Sequence, residues 1–558
     1  MPQMRNVGKQ SRKSRSVMQS YTDGMSLEEQ IGHLLVAGFW GLSPTPEIID
    51  LIQNYHVNNI ILFTRNVRDT QQVLDMTQSL QKIARDAGHR SPLLIMIDQE
   101  NGLVSRLGRG STVFPGNMAL GAIGSEQIAY ETALATGREL QALGINMNLA
   151  PVVDVNNNPA NPVIGVRSFG EDPHYVARLG SAVVKGYREA GVITDLKHFP
   201  GHGDTAVDSH LALPSIPYDM ARLESMELIP FKAAIEAGAD TVMIAHLYLP
   251  QIMPEADIPS SVSASIINGL LRTQLGFKGV VISDCLEMHA ILDTIGSSRA
   301  SVLALQAGTD LILVSHTYER QRAAFEAIRS AVKEGELTQE VINQAVERVA
   351  QLKARYLSWD NLPAPKIPEW VGGPAHLQLQ QHSYELSTTL VRNDSGLIPV
   401  KLGPDERLLV LTPQKKELSK VIDRHYVGEA FIEDLQKRHA HVEHLAVQLP
   451  LTAEGREEIL QAADKADLLL VLTVNANLDP EQAELMKKLL ATGKRVIGLA
   501  VYNPYDLLAF PELPTCLVTY EYTLPALQSA IRVIFGEQQA HGSLPISLPG
   551  LYTRGHHA

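Results

Sequence analysis

Residues 197–210 read KHFPGHGDTAVDSH. Lys197, His198, His202, Asp204, Asp208 and His210 crowd ionisable side chains into a segment whose Pro200, Gly201 and Gly203 suit neither a helix nor a strand. Such a run can hold a metal, grip a polar ligand or move protons. Asp208 and His210 are separated by one residue, so in extended backbone they point to the same side, and a slight bend brings them into hydrogen-bonding contact. An aspartate beside a histidine fixes its tautomer and stabilises the imidazolium, which suits a group that donates a proton near neutral pH and later accepts one. The bland alternative is a surface loop of incidental polarity. Further along, Asp284 follows the apolar run GVVIS. A carboxylate there must be solvated, paired or put to use, because an isolated buried charge is costly. It can cap the next helix, pair with an arginine, or attack a carbon centre.

The elements that must position these residues are legible as a pattern. Between about residues 25 and 355, the apolar runs HLLVAGF, NNIILFT, LLIMIDQE, INMNLAPVVDV, ITDLKHF, DTVMIAHLYL, GVVISDCL and DLILVSH alternate with amphipathic segments such as EQIAYETALATGRELQALG. In those segments apolar residues recur every three or four positions, and a glycine stops each one. Continuous apolar strands separated by helices imply a parallel sheet covered by helices. Eight such units predict a (β/α)₈ barrel, with an open doubly wound sheet as the alternative. The Pro/Gly-rich stretch LSWDNLPAPKIPEWVGGPAH then interrupts the pattern. A second series follows: RLLVLTP, HLAVQL, LLLVLTV, RVIGLAV and CLVTYEY. The expectation is an α/β protein: a disordered basic arm at 1–20, a catalytic TIM-like barrel at 21–358, a linker at 359–394 and a smaller αβα sandwich at 395–558.

Composition narrows the function classes. The chain has 558 residues, of which 20% are charged, and a net charge of −13, so it is too long for one core and lacks a nucleic-acid footprint. Its only cysteines, Cys285 and Cys516, exclude a disulfide framework and a zinc ribbon. The basic first twenty residues lack the apolar stretch of a signal or anchor, and no later run of about twenty apolar residues exists to span a bilayer. Cytoplasmic residence, with neither membrane nor nucleic-acid partner, is the expectation; oligomeric state is left open.

Active sites of (β/α)₈ barrels sit at the C-terminal ends of the strands. Asp98 and Glu100 end the third strand, Asp154 the fourth with Arg167 in its loop, Lys197 and His198 the fifth, His246 the sixth and Asp284 the seventh. Together they describe one polar pocket. One alternative is a metal-dependent barrel hydrolase using His198, His202, Asp204, Asp208 and His210, though these lie mostly in a single loop.

Read in order, IDQE with Arg106 eight residues after Asp98, NPVIGVRSFGEDP, KHFPGHGDT with DSH, and GVVISDCLEM resemble glycoside hydrolase family 3. Within it they look like the β-N-acetylglucosaminidase branch, which includes the NagZ-type enzymes of peptidoglycan recycling. LVRNDSGLIPV and GSLPISLPG extend the resemblance into the second domain. The resemblance implies Asp284 as nucleophile, His210 as general acid/base and Asp208 as its orienting partner. It implies Asp98, Arg106, Arg167, Lys197 and His198 as sugar-binding residues, with His246 in support, and no cofactor or metal. The implied reaction is retaining cleavage of terminal β-linked GlcNAc, from a carbohydrate or muropeptide substrate of cell-wall turnover, through a covalent glycosyl-enzyme. Phosphorolysis, another family 3 β-glycosidase activity and a non-catalytic sugar-binding protein are the alternatives. One departure stands out: where the family often reads IDQEGGRV, this chain reads IDQENGLV, with Asn101 and Leu103. Asparagine tolerates positive φ, though less freely than glycine.

Overall fold

The computed structural model describes residues 21–206, 208, 210–253, 258–415 and 428–558. The basic arm at 1–20 lies outside the described residues.

Eight parallel strands form the first domain: Leu35–Ala37, Asn59–Leu62, Leu94–Ile97, Met147–Asn148, Ile193–Phe199, Thr241–Ile244, Val280–Ser283 and Ile312–Val314. The first seven pair in chain order, each with the next, and the first also pairs with the eighth, Leu35 opposite Ile312. The remaining seam, between the seventh and eighth strands, is closed by a parallel bridge from Ile282 to Leu311 and by the Ser283 N–H donating to Leu311 O at 3.0 Å. Closure decides against the open doubly wound sheet. All eight strands are buried throughout and most are mainly apolar, as a sheet covered by helices requires, while the fifth also buries Asp195, Lys197 and His198. The fourth strand is the shortest regular one, yet Val152 bridges in parallel to Lys197 beyond it and keeps the rim in register.

Local chemistry sets the helix ends. Pro173 opens the helix Pro173–Glu189, and the Asp172 carboxylate accepts from the His174 and Tyr175 N–H groups that the first turn leaves without partners. Ser26 and Glu29 form a reciprocal capping box on Leu27–Leu34.

The second sheet runs in the order Thr389–Asn393, Thr515–Val518, Arg495–Ala500, Leu468–Thr473, Leu408–Lys415, Val442–Leu449. All neighbours are parallel except Thr389–Asn393, which is antiparallel to Thr515–Val518. From Leu408–Lys415 the chain steps first to one side and then to the other. Right-handed crossovers therefore put Gly428–Gln436 on one face, packed with Leu524–Ile534, and Ala453–Lys465 and Pro480–Ala491 on the opposite face. This is an αβα sandwich.

The stretch 359–394, expected to be a linker, carries the helix Pro374–Ser387 and the sheet's antiparallel edge strand. The helix escapes a periodicity reading because its buried face is Ser383, Tyr384 and Ser387 rather than an apolar stripe. It packs against both domains: Tyr384 Oη donates to Val113 O at 3.2 Å and lies 3.3 Å from Glu521 Oε2. Leu103, Met118, Ala119, Ala122 and Val166 of the barrel belong to the same apolar cluster as the sandwich core. Among the described residues no helix is long and apolar enough to cross a membrane.

Candidate active site

The third, fourth and fifth strands converge on a buried ionic cluster. Lys197 Nζ lies 2.6 Å from Asp98 Oδ1 and 2.7 Å from Glu100 Oε1. Arg167, on the loop after the fourth strand, donates from Nε and Nη2 to the two Glu100 oxygens at 2.9 and 2.8 Å. This two-pronged geometry is the strongest carboxylate pairing available to arginine. Burial alone would raise the Glu100 carboxyl, but Arg167 and Lys197 outweigh it and hold it well below its ordinary range. Burial opposes the charge on Arg167 and Lys197 as well, and their carboxylate partners reverse that effect, so both are held above their ordinary values. Removing one partner would strand an uncompensated charge in the floor of the pocket.

Asp154 organises the neighbouring histidines. It accepts from His198 Nδ1 at 2.7 Å and from the His202 N–H at 2.7 Å. Arg167 Nη2 lies 3.2 Å from His198 Nε2. Because a guanidinium can only donate, Nε2 accepts and the ring proton sits on Nδ1. The turn that carries His202 depends on its glycines. Gly201 sits at φ +130°, and a Cβ on Gly203 would come within 1.8 Å of Val155 O.

Asp284 stands at the end of the seventh strand, where its N–H donates to Ile244 O at 3.0 Å and its Oδ1 accepts from the Cys285 N–H at 2.7 Å. Burial pushes its carboxyl up. The imidazoles of His246, His198 and His210 that face it, with the Cys285 N–H, bring it below its ordinary value. It is therefore ionised at neutral pH. His246 itself is buried and does not line the pocket. Its Nε2–H donates to Cys285 O at 2.9 Å while Nδ1 accepts from Ser261 Oγ at 2.7 Å, so it props the backbone next to Asp284.

On the loop after the fifth strand, Asp208 Oδ1 lies 2.7 Å from His210 Nδ1 and accepts from the His210 N–H at 2.9 Å. The proton shared with Asp208 thus occupies Nδ1, and Nε2 is the nitrogen left to exchange protons with a ligand. Burial raises the Asp208 carboxyl, but its bonds to His210 prevail and lower it. One cavity of about 710 Å³ is lined by Asp98, Arg106, Arg167, Lys197, His198, His210 and Asp284 together; Asp208 stands behind His210.

The set proposed for a metal does not converge. His202 Nδ1 engages Thr205 Oγ1 at 2.8 Å, and Asp204 Oδ2 accepts from Tyr218 Oη at 2.7 Å. Among the described residues no group of three or more His, Cys, Asp or Glu side chains is arranged to hold a metal ion.

With this geometry in place, similarity to known proteins is decisive. The model of the glycosyl hydrolase family 3 N-terminal domain matches residues 26–352. The chain belongs to glycosyl hydrolase family 3. It is 33% identical to beta-hexosaminidase A of Pseudoalteromonas piscicida over 547 residues, covering 90% of this chain and 91% of that protein. A family 3 β-N-acetylglucosaminidase structure from Paenibacillus sp. str. FPU-7 superposes with a TM-score of 0.87 at 40% identity, covering 94% of this chain and 99% of that one. A fungal multi-domain family 3 β-N-acetylglucosaminidase superposes with a TM-score of 0.90 at 44% identity over 95% of this chain, which spans only 62% of the fungal one.

The two departures from the family's IDQEGGRV pattern have structural homes in this family 3 chain. Asn101 adopts φ 71°, and its side chain accepts from Gln99 Nε2 and donates to Thr136 Oγ1, both at 3.1 Å. Leu103, 4% exposed, is packed in the apolar cluster shared with the sandwich.

Sequence reasoning missed one wall of the cavity. Trp40, Phe63, Arg65 and His316 follow the first, second and eighth strands and line the same space as Asp284. A lone tryptophan after a short strand gives no local signal; the first and eighth strands, which precede Trp40 and His316, become neighbours only on closure.

Proposed function

We propose that this family 3 hydrolase is a retaining exo-β-N-acetylglucosaminidase whose barrel, residues 21–358, carries the chemistry and whose sandwich, residues 395–558, supports it. The observation that carries the reading is that a single cavity holds an ionised Asp284 and a His210 whose Nδ1 is occupied by Asp208. The relatives named for hexosaminidase and β-N-acetylglucosaminidase activity support the choice of sugar.

In this reading Asp98, Arg106, Lys197, Arg167 and His198 bind the terminal GlcNAc ring, with Arg167 held in place by Glu100 and His198 by Asp154. Asp284 attacks the anomeric carbon as a carboxylate while His210 delivers a proton from Nε2 to the departing oxygen. The glycosyl–Asp284 ester forms as the glycosidic C–O bond breaks. A water then gives its proton to His210 Nε2, its oxygen attacks the anomeric carbon, and Asp284 leaves. Two inversions give net retention. Asp208 fixes the ring so that Nε2 faces the reaction, and it stabilises the imidazolium in both steps. GlcNAc–MurNAc muropeptides of cell-wall turnover, met in the cytoplasm, are the proposed substrates.

Product analysis tests this directly. GlcNAc–MurNAc incubated with the enzyme should yield β-GlcNAc as the first-formed anomer by proton NMR, before mutarotation. α-GlcNAc appearing first would overturn retention, and no GlcNAc release from this or any β-N-acetylglucosaminide would overturn the activity. A parallel incubation with inorganic phosphate reads the acceptor: GlcNAc 1-phosphate as the main product would replace hydrolysis with phosphorolysis.

A further inference from the structure

Trp40 is the most exposed of the large apolar side chains that line the cavity, at 66%, and Leu211, immediately after His210, is exposed at 63%. Large exposed apolar surface inside a concave site marks a place that a ligand covers. The indole is braced rather than loose. The Arg65 guanidinium lies 4.6 Å from the centroid of Trp40 and 4.2 Å from that of Phe63, so it is sandwiched between the two rings. Arg65 Nε donates to Phe39 O at 2.9 Å, Nη2 to Ser315 O at 2.8 Å, and Nη1 lies 3.0 Å from His316 Nδ1. Trp40 Nε1 donates to His316 O at 3.3 Å. All three guanidinium nitrogens thus have protein acceptors. Arg65 acts as a brace against the indole, which remains largely exposed in the lining of the cavity.

We propose that Trp40, braced by Arg65, is the leaving-group subsite and takes a second pyranose ring by stacking on its C–H face. The proposal rests on the functional reading above: the charged cluster at Lys197 and Arg167 takes the terminal sugar, and the cavity is large enough to hold a further ring. A pyranose presents axial C–H groups on one face, which suit the negative face of an indole, and its hydroxyls stay directed to solvent at the ring edge. The chemistry recognised is the ring itself, common to a GlcNAc or a MurNAc leaving group.

The test compares kcat/KM for wild type, Trp40→Ala and Trp40→Phe on three substrates: trifluoroethyl β-GlcNAc, which has no ring in its leaving group, GlcNAc–GlcNAc and GlcNAc–MurNAc. Trp40→Ala should lose about tenfold more on at least one disaccharide than on the ringless glycoside, the size of one aromatic contact of about 1.4 kcal/mol, and Trp40→Phe should recover most of it. The disaccharide that suffers identifies the ring the wall prefers. Equal losses on all three substrates, within about twofold, would overturn the subsite, since a merely structural role for Trp40 affects every substrate alike. Calorimetric titration of GlcNAc–GlcNAc and of GlcNAc–MurNAc into Asp284→Asn, with and without Trp40→Ala, separates this proposal from the catalytic reading because it needs no turnover. About tenfold weaker binding of at least one disaccharide in the double variant supports the subsite, and affinities within about twofold of each other for both disaccharides overturn it.

Discussion

At Asp284 burial and charge pull in opposite directions, and the histidines around it decide the result: a carboxylate kept ionised in a site that would otherwise protonate it. His210 is the complementary case, an imidazole partly open to the cavity with one nitrogen committed to Asp208. The two residues should therefore fail differently. Asp284→Ala removes the proposed nucleophile and should lower kcat/KM by at least about a thousandfold for activated and natural glycosides alike. His210→Ala removes the proposed proton donor, so it should cost about a hundredfold or more on a disaccharide. With a nitrophenyl leaving group, which departs with little protonation, the loss should be about tenfold or less. Steady-state kinetics on the two substrates check both. Equal His210→Ala losses would contradict the acid role unless a burst of nitrophenol shows that breakdown of the glycosyl-enzyme limits turnover.

Turns and helices present these side chains, and their local sequences are under backbone constraints that side-chain chemistry does not reveal. Asn101 follows Glu100, the residue that clamps Arg167, and holds a left-handed conformation together with its side-chain bonds to Gln99 and Thr136. Asn101→Ala loses both and should destabilise the protein by about 2–3 kcal/mol, whereas Asn101→Gly loses only the side-chain bonds and should cost about 1 kcal/mol. Denaturant titrations of the two variants test the order, and Ala no worse than Gly would show that backbone conformation is not the constraint. The barrel strands were legible in the sequence as continuous apolar runs, and the helices as apolar residues recurring every three or four positions before a glycine stop. The helix Pro374–Ser387 was not, because serine and tyrosine make its buried face.

Across the whole molecule the sandwich supports the barrel from the side of the third and fourth strands. Glu521 lies at that junction, buried, its Oε1 accepting from the Gly116 N–H at 3.2 Å and its Oε2 beside Tyr384 Oη. Burial pushes its carboxyl up to about 8. Between about pH 4.5, where the unfolded chain releases this proton, and pH 8, the folded protein retains it, so stability falls as pH rises through that window. Glu521→Gln keeps a neutral amide there and abolishes this contribution. Apparent melting temperatures from pH 5 to 9 should therefore show the variant gaining on wild type by a few degrees towards pH 9; parallel profiles would show that folding leaves the Glu521 carboxyl at its ordinary pKa. On the acid side the sign reverses. Burial lowers His33 to about 3 and His202 to about 4, so protonation of these histidines in the unfolded chain erodes stability as pH falls below about 6.5.

By itself the sequence determined the order of elements, a parallel α/β class in which a barrel was expected, and the ionisable residue types waiting at the strand ends, since these depend on short-range periodicity and on where apolar runs stop; closure of the sheet was decided by the tertiary structure. Tertiary structure alone decided which groups touch: Glu100 shared between Arg167 and Lys197, His198 oriented by Asp154, and Leu103 committed to the sandwich. The wall of Trp40, Phe63, Arg65 and His316 is the clearest instance. Its members are some 276 positions apart from Trp40 to His316, and only closure of the first strand onto the eighth brings them together, a long-range pairing that no local pattern encodes.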